Sequence, residues 1–237
     1  SFIVRRFHLK KLAIVGATGL VGRTILQVLE EESLSDFEYT LFASSKSAGK
    51  HIHFMGRDYE VQCLCTTSFD EHFDYAIFSA GASTAKEFAP IAADRGCIVI
   101  DNSSAFRMEK DVPLIVPEVN PEQAFLHRGI IANPNCSTIQ AVAVLKPLDI
   151  AYQIKRIVYA TYQAVSGAGQ EGIHDLIYTS KGLQAHKFPH PIYNNCLPHI
   201  DTFLENGYTK EEVKMIEETR KILQHPELPI TATCVRV

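Results

Sequence analysis

The feature that most constrains this chain lies near its start. Lys11–Val15 is an apolar run of strand length, and the turn Gly16-Ala-Thr-Gly-Leu-Val-Gly22 follows it directly. Arg23–Glu32 then carries apolar residues at Ile25, Leu26, Val28 and Leu29, the spacing of an amphipathic helix. Strand, glycine turn and helix together open a βαβ unit. A turn without β-carbons at Gly16, Gly19 and Gly22 lets backbone N–H groups approach a phosphate, and a helix N-terminus adds positive potential there. The spacing is G-x-x-G-x-x-G, one residue from the usual dinucleotide fingerprint. The alternative is a tight strand-to-helix turn with no ligand.

The rest of the first half continues the pattern. Glu38–Phe42, Tyr75–Ser79, Cys97–Asn102 and Leu114–Val116 read as strands, and Ser83–Arg95 reads as a helix between two of them. Alternating strands and helices predict a parallel sheet covered on its faces. The second half differs. Gln140–Leu145 is helical up to Pro147, Arg156–Tyr162 and Ile230–Val237 read as strands, and Gln170–Ser180 reads as a helix. His186–His199 is a Pro-rich loop, and Thr209 with Glu212 forms a capping box opening a helix to Leu223. The predicted division is 1–133 and 134–237. With 237 residues, 46% hydrophobic and 21% charged, composition is that of a globular protein rather than a disordered or coiled-coil one. A net charge of -4 with dispersed Lys and Arg argues against a nucleic-acid partner. No apolar run approaches a membrane span. Arg5 and Arg6 precede only a short apolar stretch, so no secretory signal is read. The six cysteines are expected to be reduced, in a cytoplasmic protein.

Several residues can carry chemistry. Cys136, in Asn133-Pro-Asn-Cys-Ser-Thr138, sits just before a helix, where the N-terminus would stabilise a thiolate, with Ser137 or Thr138 as cap. Cys63, Cys65, Cys97, Cys196 and Cys234 read as small core residues. The strand after the glycine turn ends in Ala43-Ser-Ser-Lys-Ser-Ala-Gly49, with no carboxylate for a ribose 2′-hydroxyl. Ser44, Ser45 and Lys46 would instead accept a 2′-phosphate, favouring NADP over NAD. Arg107 follows a strand and is expected at the sheet's C-terminal edge, or else as a surface cation. Gln163–Gly169 ends a strand in a small-residue loop that lets backbone approach a ligand. Glu218 and Lys221, three apart, read from the residues alone as a surface ion pair on the face opposite Val213, Ile216 and Leu223. His51 and His53 share one side of a strand, and His186, His190 and His199 share a loop, but no metal-ligand spacing accompanies them.

Taken together, the segments G-A-T-G-L-V-G, S-S-K-S-A-G, D-N-S-S-A-F-R, V-P-E-V-N, N-P-N-C-S-T, Y-Q-A-V-S-G-A-G, P-H-I-D, E-T-R-K-I and T-C-V-R-V resemble the aspartate-β-semialdehyde dehydrogenase family, from Leu12 to Val237. The resemblance implies a Rossmann-like, doubly wound N-terminal domain and an α+β catalytic and dimerisation domain. It implies NADPH-dependent reduction of β-aspartyl phosphate to aspartate semialdehyde and inorganic phosphate, on the route to lysine, threonine, methionine and diaminopimelate, in a homodimer or a dimer of dimers. On it, Cys136 is the nucleophile and Gln163 orients the acyl group. Asn135, Arg236 and Glu218 bind the substrate, and Arg107 and Lys221 bind phosphate. Gly16, Thr18, Gly19, Leu20, Val21, Ser44, Ser45, Lys46, Ser166 and Gly167 form the cofactor set. The chemistry is consistent: cysteine attack on an acyl phosphate leaves a thioester that a hydride can reduce.

One departure qualifies the resemblance. The family's general acid/base His lies several residues beyond C-V-R, and none of the ten histidines here takes that place before Val237. The expectation is a C-terminally incomplete chain, catalytically poor by itself. N-acetylglutamyl-phosphate reductase shares the turn and the catalytic Cys, although N-P-N-C-S-T and S-S-A-F-R favour the aspartyl enzyme. A non-catalytic dinucleotide-binding or assembly module is the alternative of a different class.

Overall fold

A computed structural model of the protein describes residues 9–237; the reading of Ser1–His8 as lacking a signal core lies outside them. The described chain forms two units. One runs to Leu114 and resumes over Glu122–Asn133; the other comprises Ile115–Pro121 and Pro134–Val237.

In the first unit the strands are β1 (Lys10–Val15), β2 (Phe37–Ala43), β3 (His51–Phe54), β4 (Arg57–Glu60), β5 (Gln62–Cys63), β6 (Tyr75–Phe78), β7 (Ile98–Asp101) and β8 (Ile130–Ala132), with helices α1 (Leu20–Glu31) and α2 (Ala82–Asp94). Six strands build one parallel sheet in the order β5-β2-β1-β6-β7-β8. Numbered within the sheet alone, that is the 3-2-1-4-5-6 order of dinucleotide-binding folds. Both faces are covered, which explains why Leu12–Val15 of β1 are continuously apolar and buried rather than alternating. Leu12 and Ile14 pack under α1 (Leu26, Leu29) and under Ile52 and Phe54 of the β3–β4 hairpin. Ala13 and Val15 face Ala85, Ala89 and Ala92 of α2 together with Phe42, Phe69, Phe73 and Phe78. Leu114–Val116, expected as a strand, contributes a single bridge, Leu114 to Ala132. The sheet's last strand is instead β8, too short to stand out in the sequence. The hairpin was also not anticipated. Its turn, Met55-Gly56, has φ of 50° and 72°, matching the right-handed twist of the strands it joins.

The second unit holds α3 (Cys136–Tyr152), β9 (Ile157–Gln163), α4 (Gly169–Ser180), α5 (Lys210–Leu223) and β10 (Ile230–Arg236). β9 and β10 run parallel in register, which sets Gln163 beside Arg236 at their C-terminal ends. Pro147 does not end α3, contrary to expectation; the helix runs on to Tyr152. Proline removes the bond to the carbonyl of Ala143, but both residues are exposed, so water can take that carbonyl. The α5 capping box is present as expected, with Thr209 and Glu212 bonding reciprocally.

Candidate functional site

Cys136 is the first residue of α3 and is exposed. The cap is Asn135, not Ser137 or Thr138: its side-chain oxygen accepts the Ser137 N–H at 2.9 Å. Asn is among the best N-cap residues, because its short side chain reaches the orphan N–H groups of the first turn. Asn135 is held at two further points. Its backbone N–H donates to Glu218 Oε2 at 2.6 Å, and its Nδ2 donates to Glu211 Oε1 at 2.9 Å. Gln163 Nε2 donates to the same Glu211 oxygen at 3.0 Å, while Gln163 Oε1 accepts from Thr161 Oγ1 at 2.9 Å.

Glu218 is 1% exposed, so the surface ion-pair reading is wrong for it. The buried residues of α5 are Glu211, Glu212, Met215, Ile216, Glu218, Thr219, Ile222 and Leu223, with Glu211, Met215, Glu218 and Ile222 at i, i+4, i+7 and i+11. Counting only apolar residues made the buried face too narrow: Ile216 and Leu223 are buried as expected, but three carboxylates are buried with them. Glu211 was missed altogether. Its heptad spacing from Glu218 was the available signal.

Arg236 closes the far side. Its Nη1 donates to the Ala164 carbonyl at 2.7 Å, and its buried Nε has no partner among the described residues. A β-carbon on Gly167 would stand 2.9 Å from Nη1, so glycine is what admits the guanidinium. Burial pulls the Arg236 pKa below its ordinary value, opposed by the Glu211 carboxylate and then by the Cys136 and Cys234 sulfurs. Cys136, Gln163, Ser166, Gly167 and Arg236 line one cavity of about 670 Å³, within the range of small-molecule sites. Ser166 and Gly167, expected with the cofactor, lie on the wall of this cavity. Glu218 and Lys221 are not among its lining residues.

The other cysteines divide. Cys97 and Cys234 are buried; burial pushes the Cys97 thiol up to about 12 and raises Cys234 as well. Cys63, Cys65 and Cys196 are exposed, against the expectation of core packing. Hydrogen bonds from the Ser68 and Thr67 hydroxyls lower the Cys65 pKa.

In the first unit a second cavity, of about 520 Å³, opens where the sheet order reverses between β1 and β6. Gly16, Thr18, Gly19, Ser44, Ser45 and Ser79 are among its lining residues. The glycines are required sterically. Gly16 has φ of 89°, and a β-carbon there would meet the Ser79 carbonyl carbon at 2.8 Å; one on Gly22 would meet the Gly16 carbonyl oxygen at 2.1 Å. The cleft therefore has the shape and open backbone that a dinucleotide needs. Leu20, Val21 and Lys46 are exposed and do not line it; Lys46 stands on the turn closed by the Ser47 N–H to Ser44 carbonyl bond. Arg107 is buried rather than a surface cation. It lies past the end of β7, with Nε donating to the Asn133 carbonyl at 2.9 Å and Nη2 to the Asn102 carbonyl at 3.1 Å. His51 and His53 are exposed, and no group of three or more His, Cys, Asp or Glu among the described residues could hold a metal ion. No helix among them is long and apolar enough to cross a membrane.

Residues 11–127 match the model of the semialdehyde dehydrogenase NAD binding domain, and residues 145–237 match that of the semialdehyde dehydrogenase dimerisation domain. Aspartate-semialdehyde dehydrogenase of Aquifex aeolicus is 54% identical over 236 residues, covering 96% of this chain and 69% of that protein. The crystal structure of aspartate semialdehyde dehydrogenase II from Vibrio cholerae complexed with ASA superposes with a TM-score of 0.90 at 46% identity, covering 96% of this chain and 70% of that one. Aspartate semialdehyde dehydrogenase with NADP from Candida albicans superposes with a TM-score of 0.73 at 28% identity, covering 97% of this chain and 68% of that one. The chain belongs to the semialdehyde dehydrogenase family, and within it to the aspartate-semialdehyde dehydrogenases.

Proposed function

We propose that the protein carries out the NADPH-dependent reductive dephosphorylation of β-aspartyl phosphate, giving aspartate semialdehyde and phosphate. The observation that carries the reading is the single cavity that gathers a thiol at a helix start, an amide and a buried guanidinium with an unpaired N–H. In this mechanism Cys136 sulfur attacks the acyl carbon, the carbon–sulfur bond forms as the carbon–oxygen bond to phosphate breaks, and a thioester remains on Cys136. Gln163 has one N–H engaged by Glu211, which leaves its second N–H to donate to the acyl oxygen. Arg236 grips the α-carboxylate with its fork. Asn135 holds the helix start, and by the family resemblance Glu218 takes the amino group and Arg107 and Lys221 the phosphate.

The glycine cleft would hold the dinucleotide, with Gly16, Thr18 and Gly19 at the phosphates and Ser44, Ser45 and Lys46 toward the 2′-phosphate. The cofactor supplies the hydride that reduces the acyl group. Leu20 and Val21 follow Gly19 at the start of α1, and Ser166 and Gly167 complete the proposed set. The protein works in the cytoplasm as a homodimer or a dimer of dimers. Val144, Leu148, Tyr152, Val158 and Tyr162, exposed on α3 and β9, are the apolar surface available for pairing.

The test is the reverse reaction of the full-length protein with aspartate semialdehyde, phosphate and NADP⁺. NADPH should form, and N-acetylglutamate semialdehyde should give none; the opposite preference overturns the substrate assignment. Lys46→Asp should weaken NADPH binding more than NADH binding, and equal losses would remove Lys46 from the 2′-phosphate.

A further inference from the structure

We propose that Glu211 is a positioning residue for acyl transfer: its carboxylate fixes the amide orientations of both Asn135 and Gln163. The inference rests on the reaction proposed above. Glu211 is 7% exposed at the first turn of α5. Its Oε1 accepts Asn135 Nδ2 at 2.9 Å and Gln163 Nε2 at 3.0 Å, and Lys214 Nζ stands 3.5 Å from Oε2. An ionised carboxylate can only accept hydrogen bonds, and it is the group that decides which end of each amide points where. Asn135 must turn its NH₂ to Glu211, so its oxygen is left for the Ser137 N–H at the start of α3. Gln163 must do the same, so its oxygen faces Thr161 and its second N–H is left for the cavity.

One carboxylate thus sets two things. The nucleophile's helix keeps its cap, and Gln163 meets the acyl oxygen as a donor and not as an acceptor. With Glu211 gone, the Ser137 N–H still calls for the Asn135 oxygen but the side chain loses its second anchor, and Gln163, whose other partner is a hydroxyl that can donate or accept, can flip; a flipped Gln163 would present a carbonyl to an oxygen that gains negative charge in the transition state. Glu218, two turns further along α5, holds the backbone N–H of the same Asn135, so α5 grips the residue before Cys136 from two sites.

The experiment is a double-mutant cycle in the full-length protein with Glu211→Gln, Gln163→Ala and both together. Glu211→Gln should lower kcat by about 10- to 100-fold, the size expected for one charge-assisted hydrogen bond. The Kd for NADPH should stay within about twofold, because the glycine cleft belongs to the other unit. The double variant should be slower than Gln163→Ala alone by only a fraction of the Glu211→Gln factor, because the Asn135 contact is all that is left to lose. Glu211→Asp, which keeps an acceptor-only group, should recover part of the loss. In addition, Glu211→Gln should speed hydrogen exchange at the Ser137 amide, a readout that needs no substrate. Unchanged kcat in Glu211→Gln, or losses that multiply in the double variant, would overturn the inference. If the unmodified protein fails to turn over aspartate semialdehyde, the reaction reading fails instead, and unchanged Ser137 exchange would then overturn the positioning role.

Discussion

Replacing Gly22 by alanine tests why the turn carries three glycines. The added β-carbon would lie 2.1 Å from the Gly16 carbonyl oxygen and 2.9 Å from Ala17 Cα, both backbone atoms. Inside a helix, Gly→Ala alone should gain roughly 0.5–1 kcal/mol. Overpacking of this kind costs about 1–3 kcal/mol, and a contact this short belongs at the upper end. The net loss is about 1–2 kcal/mol, which for a chain of this size lowers Tm by roughly 2–8 °C. Relief requires moving Gly16, whose carbonyl accepts the Gly19 N–H at 3.0 Å and whose N–H reaches the Phe42 carbonyl at 2.8 Å. The phosphate-facing turn therefore distorts, and NADPH affinity should fall about tenfold, or ~1.4 kcal/mol. Gly19→Ala separates the two effects. Its β-carbon would stand 3.4 Å from the Gly16 oxygen, an ordinary contact, so stability should change little while NADPH binding weakens, because Gly19 lines the cleft. Thermal melting and NADPH fluorescence titration read both quantities. A Gly22→Ala protein that melts and binds like the unmodified one would refute the reasoning.

Arg236→Lys keeps the charge but loses the fork that Gly167 makes room for; kcat/KM for the semialdehyde should fall by at least about tenfold with NADPH affinity unchanged, by steady-state kinetics and titration. Stability should also fall at high pH. Burial pushes the Cys97 thiol from 9.0 to about 12, so its contribution is complete below the unfolded value and is lost between those limits, at no more than about 1.4 kcal/mol per pH unit. Cys97→Ala should flatten that part of a urea-midpoint profile.

The first βαβ unit was legible because three signals coincide there: an apolar run, glycines that backbone contact requires, and a helical period. The α5 cap was legible for a similar reason, since Thr209 and Glu212 act through local bonds alone. Long-range effects were not. Pro147 stays helical because the Ala143 carbonyl it leaves without a donor can reach water, which depends on how α3 is packed. Glu218 is buried because its partner is the backbone of Asn135, 83 residues away. Glu211 escaped notice because a carboxylate on a charged helix reads as a solvent group until the amides facing it are known. Cys63, Cys65 and Cys196 show the converse: residue type favours the core, and location overrides it. Cys136, by contrast, was found through its position before a helix, although the cap proved to be Asn135.

The most direct measurement is the mass of the protein and its peptides after incubation with β-aspartyl phosphate in the absence of NADPH. One aspartyl adduct should form, on Cys136, and addition of NADPH should release it as the semialdehyde. No adduct, or an adduct on Cys63, Cys65 or Cys196 in place of Cys136, would contradict the thioester mechanism.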